Sequence, residues 1–488
     1  MTSKSESRDE WEDRRLRLQR MESRLVDGLF ENPGVVSRRR EHQLRYAVGF
    51  AALEVFQPGA ARRGRRNDNP DVTVRSARLT RFRPRVLDTL GPILLDGKGS
   101  RARVLAASSA LEPHLDEMAK AREEVLERHA DDFSALHLDQ EVGLKTLVNV
   151  AGGGGGSAWV YLGAWEVLQN AGLVPGYLVG TSMGALLGLF RCLTRKADFD
   201  EYARIAESLS VDDIFRFVSL KTRYGLPGLT RLYLKEAIGE ILQRSNGEGM
   251  RLGDLEIPMD AVIAGVRRGA LGETPEQYAV SHHLHEDKRP GRLQLRAQVL
   301  SQLVRVTGFV NPRMVKEVVV GRDEETVEFD AIDAAGFSAA IPGVLHYDMT
   351  RDDPRMASLL DAVMEREEVV ALVDGGVANN VPAGPAWRQV QAGRIGTRNA
   401  YHLSFDSFHP QLGPGHVWMQ PITRVVALQV ATNDRYSHQR LEFRPTLAPL
   451  DLLPSAAHLS RAIGWGRRQM AAELPRILKH FERVRWVT

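Results

Sequence analysis

The fold is decided by residues 144–190, LKTLVNVAGGGGGSAWVYLGAWEVLQNAGLVPGYLVGTSMGALLGLF. Short β-branched apolar runs alternate here with apolar patterns of helical period, which predicts strand, glycine loop, helix, strand, sharp turn and helix. The predicted strands are Lys145–Ala151 and Tyr177–Val179, and the helix between them ends near Gly172, a residue type that commonly terminates helices. This order indicates an α/β core.

The second predicted strand runs directly into Gly180-Thr181-Ser182-Met183-Gly184, a GxSxG sequence, and an apolar helix follows it. In a nucleophile elbow of this kind the serine sits on a strained turn, so its hydroxyl projects from the end of the strand. Gly180 and Gly184 are needed because side chains there would clash with the neighbouring strand and helix. A chain with 43 glycines can contain a GxSxG sequence by chance. The motif is informative here because a predicted strand precedes it and an apolar helix follows it.

Five glycines, Gly152–Gly156, lie one strand–helix unit upstream of the elbow. Stacked backbone N–H groups at the start of a helix form an anion site, which suits the oxyanion that develops on an attacked carbonyl. The alternative is a nucleotide site, since Gly153-x-Gly155-x-x-Ala158 fits the dinucleotide fingerprint. That fingerprint requires an acidic residue about 20 positions on, and residues 173–181 contain none. We therefore favour the oxyanion interpretation.

A third stretch pairs a predicted buried strand, Val369–Val373, with the tripeptide Asp374-Gly375-Gly376. An aspartate at the end of a buried strand can face a cleft, while the two glycines allow the backbone to turn tightly. An ordinary structural Asp-Gly turn is the alternative. Together with the elbow, the pattern favours Asp374 as a catalytic carboxylate.

The 488 residues are 43% hydrophobic and 26% charged, an ordinary composition for a globular protein. We expect three regions: a mostly helical, partly flexible basic region at 1–141, an α/β core at 142–410, and a helical region at 411–488 packed on the core. Within the core, the arginine-rich residues 267–320 suggest an insertion or lid. Residues 198–242 are expected to be helical with a break at 225–228, and residues 400–405 to form the last strand.

The N-terminal region shows a helical stripe at Trp11, Leu18, Met21, Leu25 and Leu29. Residues 35–110 hold 16 Lys and Arg against 6 Asp and Glu. This excess fits either a solvated, partly disordered arm or a surface for an anionic partner. For a partner, lipid headgroups are favoured and no nucleic acid is expected, because aromatic residues are not interleaved with the basic ones.

The single cysteine, Cys192, rules out an intrachain disulfide and is expected to be a buried apolar residue. The N-terminus has no apolar signal-peptide segment, and the longest apolar runs are too short to span a bilayer. We expect a cytoplasmic protein whose membrane contact is peripheral.

The order of Gly152–Gly156, Gly180–Gly184 and Asp374–Gly376 resembles that of the patatin-like phospholipases, over about residues 142–410. Weaker matches are Gly225-Leu226 and residues 252–255 and 338–343. The resemblance implies a three-layer α/β/α core with largely helical N- and C-terminal additions. It also implies a Ser–Asp dyad that works without a histidine.

Carried over to this chain, the resemblance makes Ser182 the nucleophile, Asp374 the base, and the amides of Gly153, Gly154 and Gly155 the oxyanion donors. It implies hydrolysis of carboxylic esters in phospholipids or lysophospholipids, with no metal or cofactor. Many members of the family have Gly-Gly-Gly-x-Arg/Lys-Gly in the loop. Here Ser157 and Ala158 occupy the positions of the basic residue and the last glycine.

Two other functions fit parts of the sequence. A Ser-His-Asp esterase of the α/β-hydrolase type has the chain order Ser, Asp, His, and His402 and His409 do follow Asp374. That fold, however, places its oxyanion loop and nucleophile on non-consecutive strands, and we expect His402 to be a core residue. A non-catalytic membrane-binding scaffold with a decayed hydrolase core is supported only by Ser157 and Ala158.

Overall fold

The structure is a computed structural model that describes residues 7–96, 99–217, 223–270, 311–349, 351–413 and 416–487. It divides into two compact units. The first combines residues 1–147, 387–402 and 472–488, and the second combines residues 148–386 and 403–471. Both units join segments that are distant in sequence, whereas the three regions suggested by the sequence are consecutive. Those three regions stay a prediction.

The first unit is built mainly of helices, with one short antiparallel strand pair, β1 (Val55–Phe56) and β2 (Val72–Thr73). Its consecutive helices are α1 (Arg8–Glu31), α2 (Arg38–Ala51), α3 (Ala60–Arg63), α4 (Ala77–Asp96), α5 (Ser100–Leu111), α6 (Leu115–Arg128) and α7 (Ala135–Gly143).

Helix α1 shows how local sequence specifies this unit. It begins with a capping box, in which the Ser7 hydroxyl accepts from the amide of Glu10 while the Glu10 carboxylate accepts from the amide of Ser7. Four residues of the predicted stripe, Leu18, Met21, Leu25 and Leu29, are buried on one face of α1, whereas Trp11 is half-buried. These four side chains join the hydrophobic core of the unit.

The second unit contains a mixed seven-stranded sheet, in the order β10-β7-β4-β3-β11-β12 with β8 also paired to β7. Two of its strands, β3 and β11, begin within the residues assigned to the first unit. The strands are β3 (Thr146–Ala151), β4 (Tyr177–Thr181), β7 (Met259–Arg267), β8 (Val315–Val320), β10 (Val369–Asp374), β11 (Ala400–Asp406) and β12 (Gln439–Glu442).

Two strands of this sheet meet end to end along β7. Strand β4 runs parallel to β7 and ends with Thr181 opposite Val262. Strand β10 runs antiparallel to β7 and ends with Asp374 opposite Ile263. Since β8 pairs with β7 over both positions, β4 and β10 share the other edge of β7. The carboxyl ends of β4 and β10 therefore converge at neighbouring residues of one strand.

Helices pack around the sheet, so the second unit has the three-layer α/β/α core that the sequence predicts. The helices that lie wholly or partly in this unit are α8 (Val160–Asn170), α9 (Met183–Leu193), α10 (Phe199–Ser208), α11 (Val211–Ile214), α12 (Leu234–Ile238), α13 (Ala331–Ser338), α14 (Pro354–Arg366), α15 (Gly376–Asn379), α16 (Ala383–Gln391), α17 (Gln420–Asn433) and α18 (Ala456–Phe481). The C-terminal parts of α16 and α18 are assigned to the first unit. Among the described residues, no helix combines the length and the apolar character that crossing a bilayer requires.

The expectation that residues 198–242 are helical was wrong in part. After α10 and α11 the chain forms β5 (Phe215–Phe217) and β6 (Gly228–Leu232). With β9 (Gly343–His346) they make a separate three-stranded sheet, in which Thr230 lies opposite Leu345. The pairing joins segments more than 100 residues apart, so it overrides the local helical pattern.

Two other expectations need correction. Residues 400–405 are not the last strand, because β12 pairs in parallel with β11 inside the region expected to be helical. β12 is a short polar segment at the sheet edge, QRLE, so no apolar run marks it in the sequence. The end of the suggested lid, β8, belongs to the central sheet. Residues 271–310 of that lid lie outside the described residues.

Candidate active site

Ser182 lies at the turn between β4 and α9, as the GxSxG motif predicts. Its backbone has φ +53° and ψ −127°, a conformation that residues other than glycine rarely adopt. A side chain at Gly184 would clash with the carbonyl oxygen of Ala151, and one at Gly180 would clash with Ala185. The neighbouring elements therefore impose the strained turn that presents the Ser182 hydroxyl.

Asp374 ends β10 and lies directly beside the elbow. The Ser182 hydroxyl donates a hydrogen bond to Asp374 Oδ2 with an oxygen–oxygen distance of 2.6 Å. The Gly376 amide donates to the other carboxylate oxygen, Oδ1, at 2.7 Å. Burial raises the pKa of Asp374 from 3.8 to about 6, against the opposing effect of these two hydrogen bonds. The carboxylate is thus buried and basic for an aspartate.

A buried hydroxyl that sequence reasoning did not single out fixes the approach of the two strands. Ser338 Oγ accepts from the Ser182 amide at 2.8 Å and donates to the Val262 carbonyl oxygen at 2.5 Å. The Gly375 amide donates to the Ser338 carbonyl oxygen at 3.0 Å. Ser338 therefore ties the elbow, β7 and the Asp374 turn together. Its only sequence signal is the weak family match at residues 338–343.

The five-glycine loop runs from the end of β3 to a short 3₁₀ turn, Gly155–Trp159. The Gly153 amide is already engaged, because it donates to the Asn380 carbonyl oxygen at 3.1 Å. Neither the Gly154 nor the Gly155 amide donates a hydrogen bond within the described chain, and both residues line a cavity beside Ser182. Gly155 has φ +52°, which favours glycine there. Two of the three predicted donors are thus available to a ligand.

The carbonyl groups of this loop point to buried donors. The Ser157 hydroxyl donates to the Gly154 carbonyl oxygen at 2.7 Å, and the Ser157 amide donates to the same oxygen at 3.1 Å. The Asn380 side-chain amide lies 3.5 Å from the Gly153 carbonyl oxygen. In a trans peptide the C=O and the following N–H point in opposite directions. The amides of Gly154 and Gly155 are therefore directed away from these donors.

Two cavities open at Ser182. One, of ≈ 360 Å³, is also lined by Gly154, Gly155, Asp374 and Asn380. The other, of ≈ 100 Å³, is lined almost entirely by apolar side chains and shares Gly155 and Ser182 with the first. An apolar cavity of this kind stays dry and accepts apolar ligands. The Ser182 hydroxyl is thus next to one polar-lined and one largely apolar cavity.

The histidines and possible metal ligands show other surroundings. His409 Nε2 lies 3.1 Å from the Phe443 carbonyl oxygen. His402 is buried in β11, and burial lowers its pKa to about 3, as expected of a core histidine. In the part of the chain that the structure describes, no group of three or more His, Cys, Asp or Glu side chains has a metal-binding arrangement. Cys192 is buried and free, as expected.

Comparison with known proteins agrees with this geometry. The family model of patatin-like phospholipases matches residues 150–387, a segment that contains the glycine loop, the elbow and Asp374. No curated protein matches the chain at a significant level. Residues 150–387 therefore form a domain of the patatin-like phospholipase family, a family of lipid acyl hydrolases.

Proposed function

We propose that the protein hydrolyses carboxylic esters in phospholipids or lysophospholipids, with Ser182 as nucleophile and Asp374 as base. One observation carries the proposal: the Ser182 hydroxyl donates directly to a buried carboxylate, Asp374, at 2.6 Å. This carboxylate is half ionised near pH 6 and largely ionised at neutral pH. It can therefore accept a proton from the serine hydroxyl more readily than an exposed aspartate can.

The first half of the reaction acylates the serine. Ser182 Oγ attacks the ester carbonyl carbon as its proton passes to Asp374 Oδ2, and the carbonyl oxygen becomes an oxyanion. When the tetrahedral intermediate collapses, the bond to the alcohol oxygen breaks. The proton on Asp374 is transferred to the departing alcohol, which leaves an acyl-enzyme and an ionised Asp374.

The amides of Gly154 and Gly155 are the oxyanion donors in this proposal. Both residues line the cavity that contains Ser182, and buried donors bind the carbonyl oxygens of the same peptides on the opposite side. One such donor is worth about 3–4 kcal/mol in a preorganised site. The Gly153 amide, also expected as a donor, is committed to the Asn380 carbonyl oxygen.

The second half of the reaction releases the fatty acid. A water molecule gives a proton to Asp374 while its oxygen attacks the acyl carbon, and the new tetrahedral intermediate is again held by the loop amides. Collapse breaks the bond to Ser182 Oγ, which regains its proton from Asp374. Both halves use the same two side chains in opposite proton-transfer directions, so the dyad returns to its starting state.

The direct contact between Ser182 and Asp374 favours a dyad over a Ser-His-Asp triad. In a triad the imidazole lies between the serine and the carboxylate and bonds to both. With 2.6 Å between Ser182 Oγ and Asp374 Oδ2, no ring fits between them. In addition, His409 Nε2 faces a backbone carbonyl oxygen. We expect His402→Ala and His409→Ala to retain activity if folded.

Apolar side chains near the wider cavity support access from a lipid surface. Helix α17 supplies Ile422 and Val426 to the lining, and Leu428 on the same helix is 73% exposed. Val211, which also lines the cavity, is 59% exposed. Exposed apolar residues beside a ligand cavity are typical of lipid or protein contact sites. We therefore include peripheral membrane binding in the proposal.

The exposed arginines of the first unit, including Arg62, Arg63 and Arg65, fit a role in attraction to anionic lipid. Vesicle assays at low salt, with and without anionic lipid, test this part. Equal turnover on zwitterionic and anionic vesicles would contradict it.

The central experiment compares wild type with Ser182→Ala. We expect a fluorophosphonate probe to label the wild type only, and product analysis with phospholipid and lysophospholipid to show fatty acid release that the variant lacks. Ser404→Ala is a matched control, because Ser404 is another buried serine that contacts Ser437 instead of a carboxylate. A folded wild type that neither reacts with the probe nor releases fatty acid would support the scaffold alternative.

A further inference from the structure

Three buried hydroxyl groups lie in a row beneath the glycine loop. Ser157 Oγ is 2.7 Å from the Gly154 carbonyl oxygen, and Ser407 Oγ is 3.1 Å from Ser157 Oγ. The Tyr161 hydroxyl oxygen lies 3.0 Å from Ser407 Oγ. All three side chains are buried. The row thus extends from helix α8 to a backbone carbonyl of the loop, and its middle member, Ser407, lies outside the family segment 150–387.

Ser407 reaches the loop because β3 and β11 are neighbours in the sheet. The loop begins at Gly152, whose amide donates to the Phe405 carbonyl oxygen at 3.0 Å, and Ser407 follows two residues after Phe405. A Cβ atom on Gly154 would lie 2.5 Å from Ser157 Oγ and 2.6 Å from Ser407 Oγ. The loop backbone therefore passes directly over both hydroxyls, with no room for a side chain.

The chemistry of these groups gives the hydrogen bonds one direction. A carbonyl oxygen only accepts, so the single hydroxyl proton of Ser157 goes to Gly154. The Ser157 oxygen then accepts from Ser407, and the Ser407 oxygen can accept from Tyr161. Burial raises the pKa of Tyr161 far above its usual value, so its hydroxyl keeps its proton. Hydrogen bonds in such a series strengthen one another, so Ser157 is a better donor than it would be alone.

We propose that Ser407 and Tyr161 are positioning residues for the oxyanion loop, because they hold Ser157 in the orientation that binds the Gly154 carbonyl oxygen. The N–H of the same peptide, that of Gly155, is thereby directed toward the oxyanion. Neither Ser407 nor Tyr161 lines the two cavities of the site, so both act through Ser157. The inference rests on the proposed function, which takes the Gly155 amide as an oxyanion donor.

The packing around these residues allows single hydroxyls to be removed. The Tyr161 ring packs against the Phe405 ring, with centroids 5.3 Å apart, and Tyr161→Phe keeps that contact. Ser407→Ala removes a second hydroxyl of the row. Ser404→Ala is the matched control, because Ser404 is also a buried serine near the end of β11 but its hydroxyl contacts that of Ser437.

The test compares hydrolysis of p-nitrophenyl butyrate with inhibition by a trifluoromethyl ketone, which forms a tetrahedral oxyanion on a nucleophilic serine. Losing a whole donor costs about 10²–10³ in kcat, so Ser407→Ala and Tyr161→Phe should lower kcat by about fivefold, with an unchanged KM. The inhibition constant of the ketone should rise by the same factor, whereas that of the corresponding alcohol, which forms no oxyanion, should not change. Ser404→Ala should match the wild type throughout.

A double variant tests whether Ser407 acts through Ser157. Adding Ser407→Ala to Ser157→Ala should lower kcat by less than about twofold more, because the hydroxyl that Ser407 supports is already absent. If Ser407→Ala fails to fold, Tyr161→Phe in the same two backgrounds gives the equivalent comparison. Wild-type kcat in the single variants, a rise in KM alone, losses that multiply in the double variant, or an equal loss in Ser404→Ala would overturn the inference. Hydrolysis that persists in Ser182→Ala would instead overturn the proposed function.

Discussion

The pKa values of two carboxylates, the half-buried Glu22 in the first unit and the buried Asp374 in the second, are shifted in opposite directions. Burial raises the pKa of Glu22, but the Lys145 ammonium at 2.8 Å outweighs it and holds that pKa below its usual value. Burial raises the pKa of Asp374 to about 6. Within the described chain no cation lies within 4 Å of Asp374, whose hydrogen-bond donors are the Ser182 hydroxyl and the Gly376 amide.

The difference between the two carboxylates lies in their partners. Lys145 also donates to Asn399 Oδ1 at 2.8 Å, so the Glu22–Lys145 pair has its charges and hydrogen bonds satisfied. The Lys145 ammonium therefore keeps the Glu22 carboxylate ionised at neutral pH. Among the described residues, Asp374 has only neutral hydrogen-bond partners, so its charge is costly and its proton affinity is high. Under the proposed mechanism, Asp374 uses its raised pKa for proton transfer, whereas the Glu22–Lys145 pair has a structural role.

The largest effect is expected at Asp374 itself. Asp374→Asn keeps the size of the side chain but removes the base, so kcat/KM should fall by about 10⁴-fold. Ester hydrolysis and fluorophosphonate labelling measure the loss. Asp333→Asn alters another buried carboxylate of the same unit, one that is paired with Arg351, and serves as the control. Retention of more than about a tenth of the activity in Asp374→Asn would contradict the dyad.

A large loss of stability, without loss of chemistry, is expected at Lys145. Lys145→Met leaves the half-buried Glu22 carboxylate without its ion-pair partner, which should lower the free energy of unfolding by about 2 kcal/mol. Urea unfolding measures the loss, and kcat per folded molecule should not change. The control Lys120→Met breaks an exposed pair with Asp116 and should have an effect below about 0.5 kcal/mol.

Restoring charge balance sharpens the same test. The double variant Glu22→Gln/Lys145→Met removes both charges, so it should recover part of the stability lost in Lys145→Met. If the stability lost in the double variant equals the sum of the losses in Lys145→Met and Glu22→Gln, the two charges are not coupled.

Much of the site could be predicted because its signals are local. The elbow is specified by a strand, two glycines and a helix within about a dozen residues, and the structure has Ser182 on the predicted turn. Asp374 could be singled out by its position after a buried strand. That these two side chains meet could be inferred only from the family resemblance. Their contact depends on β4 and β10 ending at adjacent residues of β7, a pairing that no local pattern encodes.

The features that sequence reasoning missed depend on distant partners. Strands β5, β6 and β12 are short, and each is stabilised by a strand or sheet edge elsewhere in the chain. The Gly153 amide looks like a free donor in the sequence, but the carbonyl oxygen of Asn380, 227 residues away, accepts its hydrogen bond. In the sequence, Ser157 is notable only because many family members have a basic residue at its position. Its hydrogen bond to the Gly154 carbonyl oxygen is seen only in the structure.

The pH dependence of stability should also distinguish the two carboxylates. The raised pKa of Asp374 means that the folded state binds its proton more tightly than the unfolded state. Ionisation of Asp374 therefore lowers the free energy of unfolding as pH rises from about 4 to about 6. Above that range the loss reaches on the order of 2–3 kcal/mol. The stability gained by Asp374→Asn, measured by urea unfolding, should grow over this window and then level off.

Glu22 should show the opposite sign. Its pKa is lowered in the folded state, so its contribution is present above the unfolded pKa of 4.5 and is lost as pH falls through the folded pKa. The stability lost in Glu22→Gln should accordingly shrink on acidification. A stability difference of Asp374→Asn that is constant between pH 4 and 7 would show that burial does not raise the pKa of Asp374.

The smallest effect is expected at Ser157, a buried hydroxyl that acts on backbone dipoles instead of on a charge. Ser157→Ala removes one of two hydrogen bonds that hold the Gly154 carbonyl oxygen, so the following amide, that of Gly155, should be less well oriented toward the oxyanion. Losing a whole donor costs about 10²–10³ in kcat, and losing only its orientation should cost about tenfold. Steady-state kinetics should show a lower kcat with an unchanged KM, and Ser157→Thr should restore part of the lost kcat.

Since Asp374 is unchanged in these variants, the pH at half-maximal kcat/KM should stay near 6. A shift of that pH, or a rise in KM alone, would mean that Ser157 acts on the carboxylate or on binding instead of on the oxyanion loop.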